Sequence, residues 1–136
     1  MYPEPLVTPM KQELVSNGFE ECVTPEAVEK AINQKGTALM FVNSVCGCAA
    51  GAARPGVKAS LQSNKKPDHL YTVFAGFDID AVNAARKHFS PYPPSSPAIA
   101  LFKDGQLVHF VERHNIEGRT AAMIADHLKM VYDEFC

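Results

Sequence analysis

The chain predicts an α/β fold in which helices cover both faces of one mixed sheet. Three observations carry that expectation. The run at residues 37–42, TALMFV, is dominated by apolar residues, the pattern of a strand covered on both sides in a parallel sheet. Strand-like runs alternate with segments of helical period in the order β-α-β-α-β-α-β-β-α, after one short helix, and parallel neighbours need such crossovers. Near the end, AIALF and LVHFVER flank Lys103-Asp104-Gly105-Gln106, an Asp-Gly turn signal for an antiparallel hairpin. The 136 residues suit one domain, 1–136, with a proper core.

Each element has a local reason. Thr8-Pro9 followed by MKQELVSNG reads as a helix capped by Thr8, with Pro9 in its first turn and Asn17-Gly18 as its stop. Residues 19–23, FEECV, form a short strand in which Cys22 is a packing residue. Thr24-Pro25-Glu26 opens a second helix with cap, proline and early acid in agreement, and Val28, Ala31 and Ile32 give it an apolar face. After the strand at 37–42, residues 49–63 are mostly helical. Their alanines and Gly51 are expected to pack on the sheet, with a kink at Pro55 and slack at Gly56. HLYTVFAGF, residues 69–77, is the next strand. Asp78 caps a helix over 79–89 whose Ile79, Val82, Ala85 and Phe89 keep helical spacing. Four prolines in residues 90–97 make a loop before the hairpin. A terminal helix over 118–135 carries Met123, Ile124, His127, Leu128 and Val131 on or near one face, and Cys136 ends the chain as a frayed, exposed residue.

Composition narrows the function classes. A formal net charge of −2 gives no argument for nucleic acid or an anionic membrane surface. No apolar run approaches the roughly 20 residues of a membrane span. MYPEPLVTPM lacks the basic and apolar regions of a secretory signal. Four cysteines in such a chain read as reactive thiols of a reducing compartment, hence a cytoplasmic protein, rather than as a disulfide scaffold.

The chemistry concentrates at Cys46-Gly47-Cys48, between the apolar strand and the alanine-rich helix. A thiol at a helix N-terminus ionises more readily, and the thiolate is the reactive form. Helix positions two apart point about 200° from each other, so pairing requires Cys46 just outside the helix and Cys48 in or next to its first turn. Gly47 frees the backbone between them. Cys46 is then the more exposed thiol and the nucleophile, with backbone N–H groups of residues 47–50 to stabilise it. Packed core cysteines and a zinc half-site are the alternatives. Zinc needs two further ligands, for which His109 and His114 are candidates. The five histidines show no ligand spacing, so no metal site is assigned.

Ser96-Pro97-Ala98-Ile99-Ala100-Leu101-Phe102-Lys103-Asp104-Gly105 resembles the proline, strand and Phe-Lys-Asn/Asp-Gly segment of thioredoxin-fold proteins. The resemblance implies a cis bond at Pro97, facing the cysteines, with Ser96 and Pro97 on the substrate path. Pro55 resembles the kink proline that follows the redox cysteines in such proteins. The chain departs from thioredoxins in three places: one residue, not two, between the thiols; no Trp; and Met40 where a buried acid stands six positions before the first cysteine.

NSVCGCAAGAARPGV resembles the signature of the bacilliredoxin family, and the likeness extends over nearly the whole chain. That resemblance implies a thiol–disulfide oxidoreductase that removes bacillithiol from mixed disulfides on cytosolic proteins. It implies bacillithiol as thiol co-substrate, no other cofactor, and a recycling reductase as partner. Arg54, one to two turns along the helix, then offers its charge to a carboxylate of bacillithiol, or is a solvated surface residue. A general disulfide reductase or isomerase, and a zinc- or partner-binding module on the same scaffold, are the competing functions.

Overall fold

A computed structural model describes all of residues 1–136. Its elements are α1 (Glu4–Val15), β1 (Glu20–Glu21), α2 (Pro25–Ile32), β2 (Thr37–Asn43), a π-helical turn (Ala49–Ala53) running into α3 (Arg54–Ser60), β3 (His69–Phe74), α4 (Ile79–Arg86), β4 (Ala98–Lys103), β5 (Gln106–Val111), α5 (Arg113–Ile116) and α6 (Ala121–Phe135). The five strands form one sheet in the order β1-β3-β2-β4-β5. β1, β3 and β2 run parallel, and β4 and β5 are added antiparallel.

β2 lies at the centre with all seven residues buried. Its side chains alternate between two cores, which explains the continuous apolar run in the sequence. Ala38, Met40 and Val42 face a core shared with Cys22, Val28, Ile32, Val82 and Phe89. Leu39 and Phe41 face the other, with Leu14, Ala53, Val57, Leu128 and Tyr132. β2 therefore emerges at a fixed place on the sheet edge, with α3 and α6 packed beneath its exit.

Several local expectations need correction. α1 begins at Glu4, so Thr8 is not its cap; the Thr8 hydroxyl donates to the Glu4 carbonyl at 2.8 Å from inside the helix. The early proline is Pro5, and Pro9 leaves one internal bond unmade. β1 is only two residues long. β3 stops at Phe74, and α4 at Arg86, before a tight turn over Lys87–Phe89. Asp78 sits at the start of α4 but makes no cap bond; its carboxylate pairs with Lys11 at 2.8 Å. Ile79, Met123 and His127 face solvent rather than core. Cys136 is exposed but not frayed, since its N–H donates to Tyr132 O at 2.8 Å. A Cβ at Gly51 would meet nothing within 4 Å, whereas one at Gly56 would stand 2.8 Å from Ile124. Gly56 therefore lets α3 and α6 approach closely and is not a point of slack. The short α5 has no counterpart among the elements that residue pattern predicts.

Candidate active site

The site is assembled from the exit of β2 upward. Asn43, the last strand residue, is buried, and its side-chain oxygen accepts the Ser44 N–H at 2.8 Å. Ser44 Oγ in turn accepts the Cys46 N–H at 2.9 Å. The Cys46 carbonyl accepts the N–H groups of Ala49 at 3.0 Å and Ala50 at 3.2 Å. These bonds start the helical run at Gly47 and leave Cys46 at its entrance. Both Cys46 and Cys48 are free thiols of intermediate accessibility. Cys48 also leans on the core formed by Ala52, Ala53 and Ile99. Gly47 is exposed with open space where a Cβ would stand, and its φ is not positive. It is an approachable surface, not a residue the backbone conformation demands.

The two sulfurs are unequal. The side chain of Cys48 is the main influence holding the Cys46 pKa below that of a free thiol. Partial burial opposes it, while N–H groups of Cys48 and Ala49 and the charge of Arg113 assist. The Cys48 N–H nitrogen lies 3.4 Å from the Cys46 sulfur. For Cys48 the balance reverses: burial and the same contact with Cys46 push its pKa up, with Arg113 in opposition. The two thiols are thus shifted in opposite directions, Cys46 below and Cys48 above the ordinary thiol range.

The second wall comes from β4. Ala98 pairs with Val42 across the antiparallel ladder, so Pro97 stands level with Asn43, where the cysteine turn begins. The Ser96–Pro97 peptide is cis, as is Ser90–Pro91. Pro97 is buried and Ser96 half-buried.

Arg54 fits neither of its expected roles, carboxylate ligand or solvated surface residue. It is 3% exposed, so it is neither a surface residue nor free to meet a substrate carboxylate. Its Nη1 donates to Asn43 Oδ1 at 2.9 Å and to the Ser44 carbonyl at 2.8 Å, and its Nε to Glu13 Oε1 at 3.1 Å. Burial pushes the Glu13 carboxyl up, but Lys58, at 2.8 Å, and Arg54 together outweigh it and hold it below the ordinary range. Arg54 thus clamps the end of β2 from below. The cause is the π turn: the Arg54 N–H bonds back to Ala49, five residues earlier. Pro55 has no N–H to continue a regular ladder, and the wide turn changes which face each later residue occupies.

The cation whose charge acts on both thiols is Arg113, which no sequence motif marks. Its backbone N–H reaches Ser95 Oγ at 3.3 Å, its Nη1 the Ser96 carbonyl at 3.4 Å and its Nε Glu117 Oε1 at 2.6 Å. A basic residue just after a hairpin that returns to the Ser96–Pro97 segment was the available signal. No group of three or more His, Cys, Asp or Glu side chains converges to hold a metal. His109 instead meets His127, Nε2 to Nε2, at 2.9 Å, and His114 lies 3.6 Å from Glu112, so neither completes a zinc site with Cys46 and Cys48. A cleft of about 250 Å³ between β5 and α6 contains neither thiol.

A dithiol at a strand-to-helix junction, with the acidity of one sulfur raised, is equipped for thiol–disulfide exchange, and comparison with known proteins agrees. A family model described as Disulphide isomerase matches residues 2–136. A bacilliredoxin of Cytophaga hutchinsonii is 68% identical over 134 residues, covering 98% of this chain and 99% of its own. The chain belongs to the bacilliredoxin family. Another family member, from Shouchella clausii, is 52% identical over 136 residues, covering 99% of this chain and 94% of its own. Among solved structures, a mutant thioredoxin from Halobacterium salinarum superposes with a TM-score of 0.59 at 16% identity, covering 88% of this chain and 91% of its own. Mitochondrial thioredoxin 3 of Saccharomyces cerevisiae gives 0.59 at 15% identity, covering 90% of this chain and 98% of its own. The fold is thioredoxin-like, and the protein is a thiol–disulfide oxidoreductase of the bacilliredoxin family.

Proposed function

We propose that this chain removes bacillithiol from mixed disulfides on proteins, with Cys46 as nucleophile and Cys48 as resolving thiol. The observation that carries the reading is the inequality of the two sulfurs: the Cys48 N–H nitrogen stands 3.4 Å from the Cys46 sulfur, and Cys48 shifts the accessible Cys46 toward thiolate. The Cys46 thiolate attacks the bacillithiol sulfur of a protein–S–S–bacillithiol adduct. A new S–S bond forms on Cys46, the old one breaks, and the protein thiolate leaves and takes up a proton. A second bacillithiol then attacks the adduct on Cys46, giving bacillithiol disulfide and free Cys46. Alternatively, Cys48 gives up its proton and closes the Cys46–Cys48 disulfide, expelling bacillithiol as the thiol. That internal disulfide needs two electrons from a recycling reductase. The same steps applied to a protein's own disulfide constitute the general reductase or isomerase activity, which the description of the matched family favours.

Turnover of one carrier protein bearing either bacillithiol or glutathione, with reduction of an internal protein disulfide as a third arm, tests the reading. Faster release of bacillithiol than of glutathione is the expected result. Equal rates on both adducts, or a dominant third arm, would favour the general reductase.

A further inference from the structure

Arg113 offers the thiol site more than a positive field. It opens α5 immediately beyond β5, and two bonds tie it to the loop ahead of Pro97, one to Ser95 Oγ and one to the Ser96 carbonyl. Its side chain is 46% exposed. Nε is occupied by Glu117 and one Nη1 hydrogen by Ser96, which leaves the Nη2 pair uncommitted toward solvent. The partner it does have is weakly held: Glu117 is an i,i+4 neighbour, 53% exposed, and such pairs are readily exchanged. Arg54 faces inward and is engaged with Asn43, Ser44 and Glu13, whereas Arg113 is partly exposed and its charge acts on both sulfurs.

We propose that Arg113 is the specificity-determining residue of this site, receiving a carboxylate of the small-thiol half of the mixed disulfide in exchange for Glu117. The proposal rests on the small-thiol reading above and names one feature the site reads in that thiol, a carboxylate within an arginine's reach of its sulfur, which separates it from uncharged thiols. A planar guanidinium suits this task because it binds a carboxylate through two parallel N–H donors. The tether to Ser96 fixes the guanidinium relative to the Ser96–Pro97 segment, and hence relative to the sulfur under attack.

Two alkylating agents of nearly equal size separate charge reading from thiol acidity. At one pH both iodoacetate and iodoacetamide meet the same Cys46 thiolate, so the ratio of their rates cancels the thiolate fraction. Arg113→Ala is expected to lower the iodoacetate-to-iodoacetamide ratio about fivefold to tenfold, Arg113→Lys to restore part of it, and Glu117→Gln to raise it, on the scale of a charge-assisted contact at a partly exposed site. An unchanged ratio in Arg113→Ala would overturn the proposal. The second measurement uses one carrier protein bearing bacillithiol or uncharged 2-mercaptoethanol. Arg113→Ala should slow release of bacillithiol roughly tenfold more than release of 2-mercaptoethanol. Equal slowing of both would mean that Arg113 acts through the thiolate alone, which overturns carboxylate recognition and leaves the proposed function standing. Failure of the unaltered protein to turn over the bacillithiol adduct would remove the proposed function, while the alkylation ratio would still decide whether Arg113 reads charge.

Discussion

Cys22 and Cys46 occupy similar topological positions and have opposite chemistry. Each follows a strand of the parallel part of the sheet, Cys22 the short edge strand β1 and Cys46 the central β2, and each precedes a helix with a proline near its start: Pro25 in α2, and Pro55 in α3. Cys22 is 1% exposed within one core. Its N–H extends the ladder to Thr72 O at 2.9 Å, and its sulfur finds only the Ala27 carbonyl at 3.8 Å. Burial pushes its pKa up to about 12, with Glu20 adding to the effect. Cys46 has the Cys48 N–H nitrogen 3.4 Å from its sulfur, and the Cys48 side chain, neighbouring N–H groups and the charge of Arg113 lower its pKa. Strand-end position before a helix is therefore not enough to activate a thiol. The donors and cation that other segments bring, and the access to solvent, make the difference.

The sharpest break between the two cysteines is exchange activity. Cys46→Ala is expected to lower turnover of a mixed disulfide by roughly three orders of magnitude or more, as loss of an essential nucleophile does. Cys22→Ala should keep that activity and cost about 1–2 kcal/mol in stability for the lost packing. Mass spectrometry after incubation with substrate supplies a second readout: Cys48→Ala should accumulate an adduct on Cys46. An adduct on Cys48 in the Cys46→Ala protein would reverse the assignment.

Arg54 tests how far the Cys46 side depends on its floor. Arg54→Met should destabilise the fold by roughly 3 kcal/mol, on the scale of removing one partner from a buried charge pair. Glu13 is 31% exposed, so water compensates part of its loss. Denaturant melts measure the cost. Turnover per folded molecule should keep its preference between bacillithiol and 2-mercaptoethanol adducts, because Arg54 does not face the substrate. A lost preference would return Arg54 to the carboxylate-binding role that the family resemblance suggests.

Acidity gives a subtler comparison. Because the Cys48 thiol is the main influence that lowers Cys46, Cys48→Ala should move the Cys46 alkylation midpoint up toward a free thiol. Cys48→Ser, which keeps a donor, should move it less. At Cys22 the sign is opposite and appears in stability. Its folded pKa of about 12 lies above the unfolded value of roughly 8.5. The stabilising contribution is therefore complete below about pH 8.5 and is lost as pH rises toward 12, at about 1.4 kcal/mol per pH unit. Tyr132 is also pushed up to about 12 by burial, from roughly 10, so the cleanest window is about pH 8.5–10. The stability of Cys22→Ala should fall less steeply there than that of the unaltered protein; parallel slopes would show that Cys22 ionises freely.

Residue pattern alone determined the α/β class, the element order and the place of the Cys46-Gly47-Cys48 turn. Those features rest on period, on turn chemistry at Asp104-Gly105 and on the cap at Thr24, whose side chain accepts the Ala27 N–H at 3.1 Å. All are local, and local rules reach only a few residues along the chain. The helical entrance at Cys46 was legible for the same reason. The facing of Arg54 was not, because a helical projection assumes about 3.6 residues per turn and the π turn before Pro55 breaks that count. Arg113 was not, because it comes to the thiols from beyond the β4–β5 hairpin, 67 residues past Cys46 in sequence. Its position depends on the register of β4 against β2. Nor did the sequence separate Cys22 from Cys46 by more than a motif. Acidity is set by burial and by the groups that surround a sulfur, and only the packed tertiary structure fixes both.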